Sequence, residues 1–134
     1  MQIKKYTAAN KEAWNEVMPK HQKASKDYLD KLFSQKGFII QSDADLLNLF
    51  SEISVKNKNV IHLCCNNGIE LLSIKNMGAA RCVGIDISEI AIEEAKERAE
   101  KFSIECEFIC SDVFDIPHDY YNSFDIVHIT SGCL

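Results

Sequence analysis

From Val60 onward the apolar positions switch period several times, from strand-like runs to helix-like stripes and back. Val60 to Cys65 is an apolar run that ends in a polar Asn66-Asn67-Gly68 turn. Ile69 and Leu72, and Leu71 and Ile74, then recur at helical spacing, and Met77-Gly78 is a natural helix stop. A second buried-looking strand, Cys82-Val83-Gly84-Ile85, delivers a carboxylate at Asp86. Ser88 caps a helix running to Phe102, with Ile92, Ala95, Ala99 and Phe102 directed to a sheet and most charged positions left in water. Ile104 to Cys110 reads as a third strand, followed at once by Asp112, and a turn-rich loop from Pro117 to Ser123 precedes a fourth strand, Phe124 to Thr130.

Upstream, Asn10 to about Phe33 lacks glycine and is rich in helix formers, with Asn10 as N-cap. Trp14, Val17, Met18 and His21 form one stripe of it, which Pro19 kinks or restarts. That stripe is either packing over the core or, through Trp14 and His21, a lid over a ligand. A break at Ser34 to Gly37 precedes a short amphipathic helix, Asp43 to Ile53, capped by Ser42.

The alternation of strands with helices predicts an α/β fold. The expectation is a Rossmann-like, open, mainly parallel sheet of about four strands in the order 3-2-1-4, with helices on both faces and an N-terminal helical segment. Residues 1–56 would be that segment or lid, and residues 57–134 a partial Rossmann-like cofactor-binding domain.

With 134 residues the chain has room for one small domain, which buries roughly two thirds of its unfolded surface. The net charge of −5, with lysines dispersed mainly over the first 60 residues, lacks the basic footprint of a nucleic-acid binder. No apolar stretch approaches the length of a membrane span. The six cysteines fall mostly in strand-like runs and no signal peptide precedes them, so they are expected as reduced core thiols in a cytoplasmic protein. No metal site is expected: Cys106 and Cys110 would serve only if His62 or Cys82 joined them, and no paired C-x-x-C knuckle is present.

The chemistry converges on one edge. Asp86 lies 18 residues beyond Gly68, close to the spacing of an acid that contacts a ribose in a βαβ nucleotide site. Asp112 repeats the arrangement at the next strand tip. Paired acids suit the hydroxyls and amine of a nucleoside and suit a polyphosphate badly. The turn has glycine only at Gly68, and no G-K-[ST] follows, so a nucleoside without phosphates is favoured over NAD or ATP.

These residues also carry a family likeness. Residues 60–134 resemble class I S-adenosylmethionine-dependent methyltransferases: Leu63-Cys-Cys-Asn-Asn-Gly68 stands in place of the glycine-rich first motif, and Val83-Gly-Ile-Asp-Ile-Ser88 of the acidic second. Ile109-Cys-Ser-Asp-Val-Phe114 and Phe124-Asp-Ile-Val-His-Ile-Thr130 resemble the third and fourth. Asn10-Lys-Glu-Ala-Trp-Asn15 and His21 resemble the leader helix of a bacterial, small-molecule-type branch. The resemblance implies S-adenosylmethionine as cofactor and a small-molecule methyl acceptor; charge and the lengths of the apolar stretches argue against a nucleic-acid or membrane partner. It implies that the backbone around Cys64, Cys65, Asn66 and Gly68 holds the methionine part, that Asp86 takes both ribose hydroxyls and that Ile87 lies against the adenine. Asp112 and the Val113 amide would meet the adenine edge. His62 replaces the usual acid of the first motif, and Cys64 and Asn66 replace usual glycines.

No catalytic residue is assigned; His128 and Thr130 are the candidates near the fourth strand tip. The fourth strand lacks Asn-Pro-Pro-aromatic, which sets the chain apart from amino-group methyltransferases of DNA bases. Against a seven-stranded family sheet, four strands look truncated, and the exposed fourth-strand edge invites homo-oligomer formation or strand exchange. A catalytically inactive methyltransferase-like binding fragment is the alternative, and an NAD-linked oxidoreductase a weaker one.

Overall fold

The computed structural model describes residues 25–40, 54–116, 118–120 and 122–129. The expectations for Asn10, Trp14, Pro19 and His21, for the helix from Asp43 to Ile53 and for Thr130 lie outside the described residues. Residues 25–33 are helical (α1). There follow β1 (Asn59–Leu63), α2 (Ile69–Asn76), β2 (Arg81–Asp86), α3 (Glu89–Lys101), β3 (Glu107–Cys110), two 3-10 turns (Val113–Asp115 and His118–Tyr120) and β4 (Ile126–Ile129).

The four strands form one parallel sheet in the order β3-β2-β1-β4. From β1 the chain steps outward to β2 and β3, then returns to the opposite side of β1 for β4. The order therefore reverses between β1 and β4, and a ligand crevice is expected beyond the carboxyl ends there. Registration of β4 is fixed by a two-way clip: the Asn59 N–H donates to the Asp125 carboxylate at 2.8 Å, and the Asp125 N–H to the Asn59 carbonyl at 2.9 Å.

Strand alternation sorts the core into two faces. Val60, Cys82 and Phe108 point to one, where they pack with Leu71, Leu72 and Ile74 of α2, Ile92, Ala95 and Ala99 of α3, and Phe33 of α1. Ile61, Val83 and Ile85 point to the other, joined by Leu63, Ile109, Val113, Ile116 and Phe124. Among the described residues the helices thus occupy one face, and loops and 3-10 turns line the second. On that second face of β4, Val127 and Ile129 are 60% and 58% exposed. Among the described residues β4 pairs on one side only, with β1, and its second face is apolar.

Helix ends follow local chemistry. Ser88 Oγ accepts from the Ala91 N–H at 3.3 Å at the start of α3. Past α2 the chain turns at Gly78, whose φ is 107°, a region that favours glycine. The segment after α1 is clipped to α2 by Asn76 Nδ2 donating to the Phe38 carbonyl and by the Ile40 N–H donating to Ser73 Oγ.

Two expectations need correction. Glu94 and Arg98 are buried rather than wet: Arg98 donates to Glu94 at 2.7 Å and to Asp30 of α1 at 3.0 Å. The charged face of α3 is therefore split, because α1 lies over part of it. Among the described cysteines, Cys65, Cys82, Cys106 and Cys110 are free thiols, whereas Cys64 is disulfide-bonded. Cys64 lies in the turn just past β1 rather than inside a strand. Among the described residues no helix is long and apolar enough to cross a membrane.

Candidate functional site

The turn leaving β1 must reverse sharply into α2, and it does so through left-handed backbone at three positions: φ is 58° at Cys64, 57° at Asn66 and 75° at Gly68. Asparagine tolerates this region, while cysteine does so rarely. The turn thus keeps a glycine-like backbone although two of the three residues carry side chains. It is closed by the Cys65 N–H donating to the Ile85 carbonyl and the Gly68 N–H donating to the Cys65 carbonyl, both at 3.0 Å.

Gly68 has a second reason to be glycine. A Cβ there would lie 2.7 Å from Phe108 Cε1 and Cζ and 3.0 Å from Ala95 Cβ. Its empty side is filled by protein, so the close approach it permits is that of Phe108. Cys65 points into the same core, and its thiol is pushed well above the ordinary range by burial and then by the Asp86 charge. Within the turn the Cys65 thiol also donates to the Asn66 carbonyl at 3.7 Å.

Asp86, at the end of β2, is bound at both oxygens. Oδ2 accepts from the Asn66 N–H at 2.8 Å and Oδ1 from the Ser88 N–H at 2.9 Å. The carboxylate therefore joins the first turn to the start of α3. Register pairs Asp86 with Cys110, and the Ser111 N–H donates to the Asp86 carbonyl at 3.0 Å, which sets Asp112 beside it at the next strand tip. Asp112 caps the following 3-10 turn, Oδ1 accepting from the Phe114 N–H at 2.9 Å. Ile87 is half-buried and its carbonyl accepts from Cys110 Sγ at 3.5 Å, while half-buried Val113 packs under the second face. Cys64, Cys65, Asn66, Gly68, Asp86, Ile87, Asp112 and Val113 all belong to loops or strand ends at the carboxyl edge of the sheet.

Each Asp86 oxygen takes one described backbone N–H and retains further acceptor capacity. That leaves room for two hydroxyl donors, which is what a ribose would ask of it.

A third group was not assembled by sequence reasoning. His62 on β1 and His128 on β4 are register partners on the helix-covered face, with ring centroids 4.4 Å apart. Glu70, in the first turn of α2, brings Oε2 to 3.2 Å from His128 Nε2 and 3.9 Å from His62 Nε2. Burial, with His128 beside it, lowers the His62 pKa to about 3, so its imidazole is neutral and its contact with Glu70 is no ion pair. The available signal was His62 in an acid's place with Glu70 eight residues on. The proximity of His128 required the strand order. Cys106, by contrast, just before β3, hydrogen-bonds with Cys82 of β2, and that bond with burial raises its thiol.

Residues 54–133 match the family described as Methyltransferase domain. An uncharacterized protein of Methanocaldococcus jannaschii is 38% identical over 80 residues, which are 60% of this chain and 36% of that protein. A protein of the same organism named as a putative protein N5-glutamine methyltransferase is 29% identical over 86 residues, 64% of this chain and 42% of that one. The ribosomal protein L11 methyltransferase of Shewanella pealeana is 33% identical over 82 residues, 61% of this chain and 28% of that protein. The chain thus spans well under half the length of these relatives. Among solved structures, an S-adenosylmethionine-dependent methyltransferase from Thiobacillus denitrificans, in complex with S-adenosylhomocysteine, superposes with a TM-score of 0.57 at 21% identity. That superposition covers 74% of this chain and 42% of the other, and shows the shared fold.

Proposed function

This chain belongs to the methyltransferase-domain family, and from that premise we propose that it is the cofactor-binding half of an S-adenosylmethionine-dependent methyltransferase. The observation that carries the proposal is the placement of Asp86. It closes the β1 turn and the α3 start through two backbone amides, and Asp112 stands beside it at the next strand tip.

In this reading Asp86 accepts both ribose hydroxyls, Ile87 lies against the adenine, and Asp112 with the Val113 amide meets the adenine edge. The backbone of Cys64, Cys65, Asn66 and Gly68 borders the methionine part. The cofactor supplies, when bound, a sulfonium methyl open to in-line displacement. What the chain contributes is alignment: a turn held rigid by Asp86, and a donor fixed at one end of the sheet. Residues 57–134 would be the cofactor half. Residues 25–33 have a packing role, through Asp30 and Arg98.

A small-molecule acceptor is the reading we favour, on the N-terminal likeness and the absence of a basic stripe. A protein acceptor is the second reading, favoured by relatives named for ribosomal protein L11 and for protein glutamine. The exposed face and edge of β4 are where a further strand or a second copy would pair.

Calorimetry tests the cofactor assignment. S-adenosylhomocysteine is expected to bind the wild type, and Asp86→Ala to weaken it by about 100-fold, the loss of hydrogen bonds to a charged acceptor costing about 3 kcal/mol. Binding of NADH in place of S-adenosylhomocysteine would assign an oxidoreductase, and binding of neither by a folded chain a non-catalytic domain.

A further inference from the structure

We propose that His62, Glu70 and His128 form a binding site for a divalent first-row transition-metal ion of the zinc class. The three donor atoms come from three different elements, β1, α2 and β4, yet lie within 4.8 Å of one another. Two imidazoles and one carboxylate are the donor set of open, three-ligand metal sites, which leave a further coordination position for water or substrate.

One of the three separations fits that use directly, and the others, all within 4.8 Å, close by side-chain rotation. Ligand atoms about 2.1 Å from a common ion stand roughly 3.0 to 3.4 Å apart. The Glu70 Oε2 to His128 Nε2 separation of 3.2 Å is within that range, and the 3.9 Å to His62 Nε2 needs a small side-chain rotation. The alternative, a carboxylate oxygen shared by two imidazole N–H donors, explains the contacts but not the location. His62 and His128 occupy adjacent core-facing positions in one row of the sheet, whereas the row before them is Val60 and Ile126. Burying two imidazoles and a carboxylate in place of such apolar neighbours costs stability. His62 is 1% exposed, Glu70 24% and His128 11%, so the cluster is too dry to be an ordinary surface pair.

The location also suits a ligand. The row lies between β1 and β4, where the strand order reverses, and Glu70 is two residues past Gly68. An ion there would sit beside the turn assigned above to the methionine part of the cofactor. The inference does not rest on that assignment: its assay contains no methyl donor, so the two fail separately.

The test is a titration of the EDTA-stripped, tag-free chain under reducing conditions, with zinc by calorimetry and with cobalt by visible absorption. The wild type is expected to bind one equivalent of each, and the cobalt complex to show d–d bands without thiolate charge-transfer absorption. Loss of an outer-shell partner weakens metal sites 10- to 100-fold, so removing a direct ligand in Glu70→Gln or His128→Asn should cost at least about tenfold. Unchanged far-ultraviolet circular dichroism of both variants shows that the loss is not unfolding. No binding by the wild type overturns the proposal, and so do thiolate bands or affinity unchanged in both variants.

Discussion

Phe108 is the wedge on which two glycines depend, and Gly84→Ala measures it. Gly84 lies on β2 between His62 of β1 and Phe108 of β3 in one row of the sheet. A Cβ there would stand 2.8 Å from Phe108 Cδ1, 2.9 Å from Phe108 Cε1 and 2.9 Å from Cys65 Sγ. The strand cannot retreat, because both neighbours pin its backbone, and Phe108 and Cys65 are themselves 5% and 3% exposed. Overpacking of a filled core costs about 1 to 3 kcal/mol, and the reduced unfolded-state entropy of alanine returns roughly 0.5 to 1. The expected net loss is about 1 to 2 kcal/mol. In urea denaturation followed by circular dichroism the midpoint should fall by roughly 1 M or less at unchanged slope. Shortening the wedge should relieve the clash: in the Gly84→Ala, Phe108→Leu double variant the losses should be less than additive by about 1 kcal/mol. Gly68→Ala should cost more, about 3 kcal/mol, because the same ring blocks it at 2.7 Å and its φ of 75° adds left-handed strain. A Gly84→Ala chain as stable as wild type, or full additivity with Phe108→Leu, would refute the wedge.

Other consequences follow from charge and exposure. Arg98→Ala should destabilise by about 3 to 5 kcal/mol, since it strands buried Glu94, while the Glu94→Leu, Arg98→Met double variant should recover most of that in the same urea assay. The exposed Arg81–Glu107 pair, at 2.7 Å, should show the opposite, with Arg81→Ala costing less than about 1 kcal/mol by double-mutant cycle. Among the described free thiols, exposed Cys110 should alkylate first in the native chain. Cys65, raised by burial and by Asp86, should react only on unfolding; equal rates by mass spectrometry would contradict the structure.

The chain of apolar runs and caps determined the parallel sheet and its helices. Gly78 and Ser88 acted through local backbone and capping chemistry, which three or four residues encode by themselves. Strand ends were less legible: β3 begins at Glu107 rather than Ile104, because pairing with β2 starts only at Val83. Of the candidate site, Asp86 and Asp112 could be placed at neighbouring strand tips from sequence, since strand period and parallel order put them there.

Which partners those residues have belongs to tertiary structure. That Asp86 holds the Asn66 amide, that Cys64 and Asn66 keep a left-handed backbone without glycine, and that Phe108 fills the notch of Gly68 are outcomes of three elements meeting. Most charged positions of α3 were expected in water, and Arg98 is an exception, buried where α1 lies across α3. His62 and His128 are 66 residues apart and became neighbours only when β4 returned to the far side of β1. Sequence fixes periodicity and local conformation because those act over a few residues; the reversal of strand order, which acts across half the chain, decided that two histidines and a glutamate share one point.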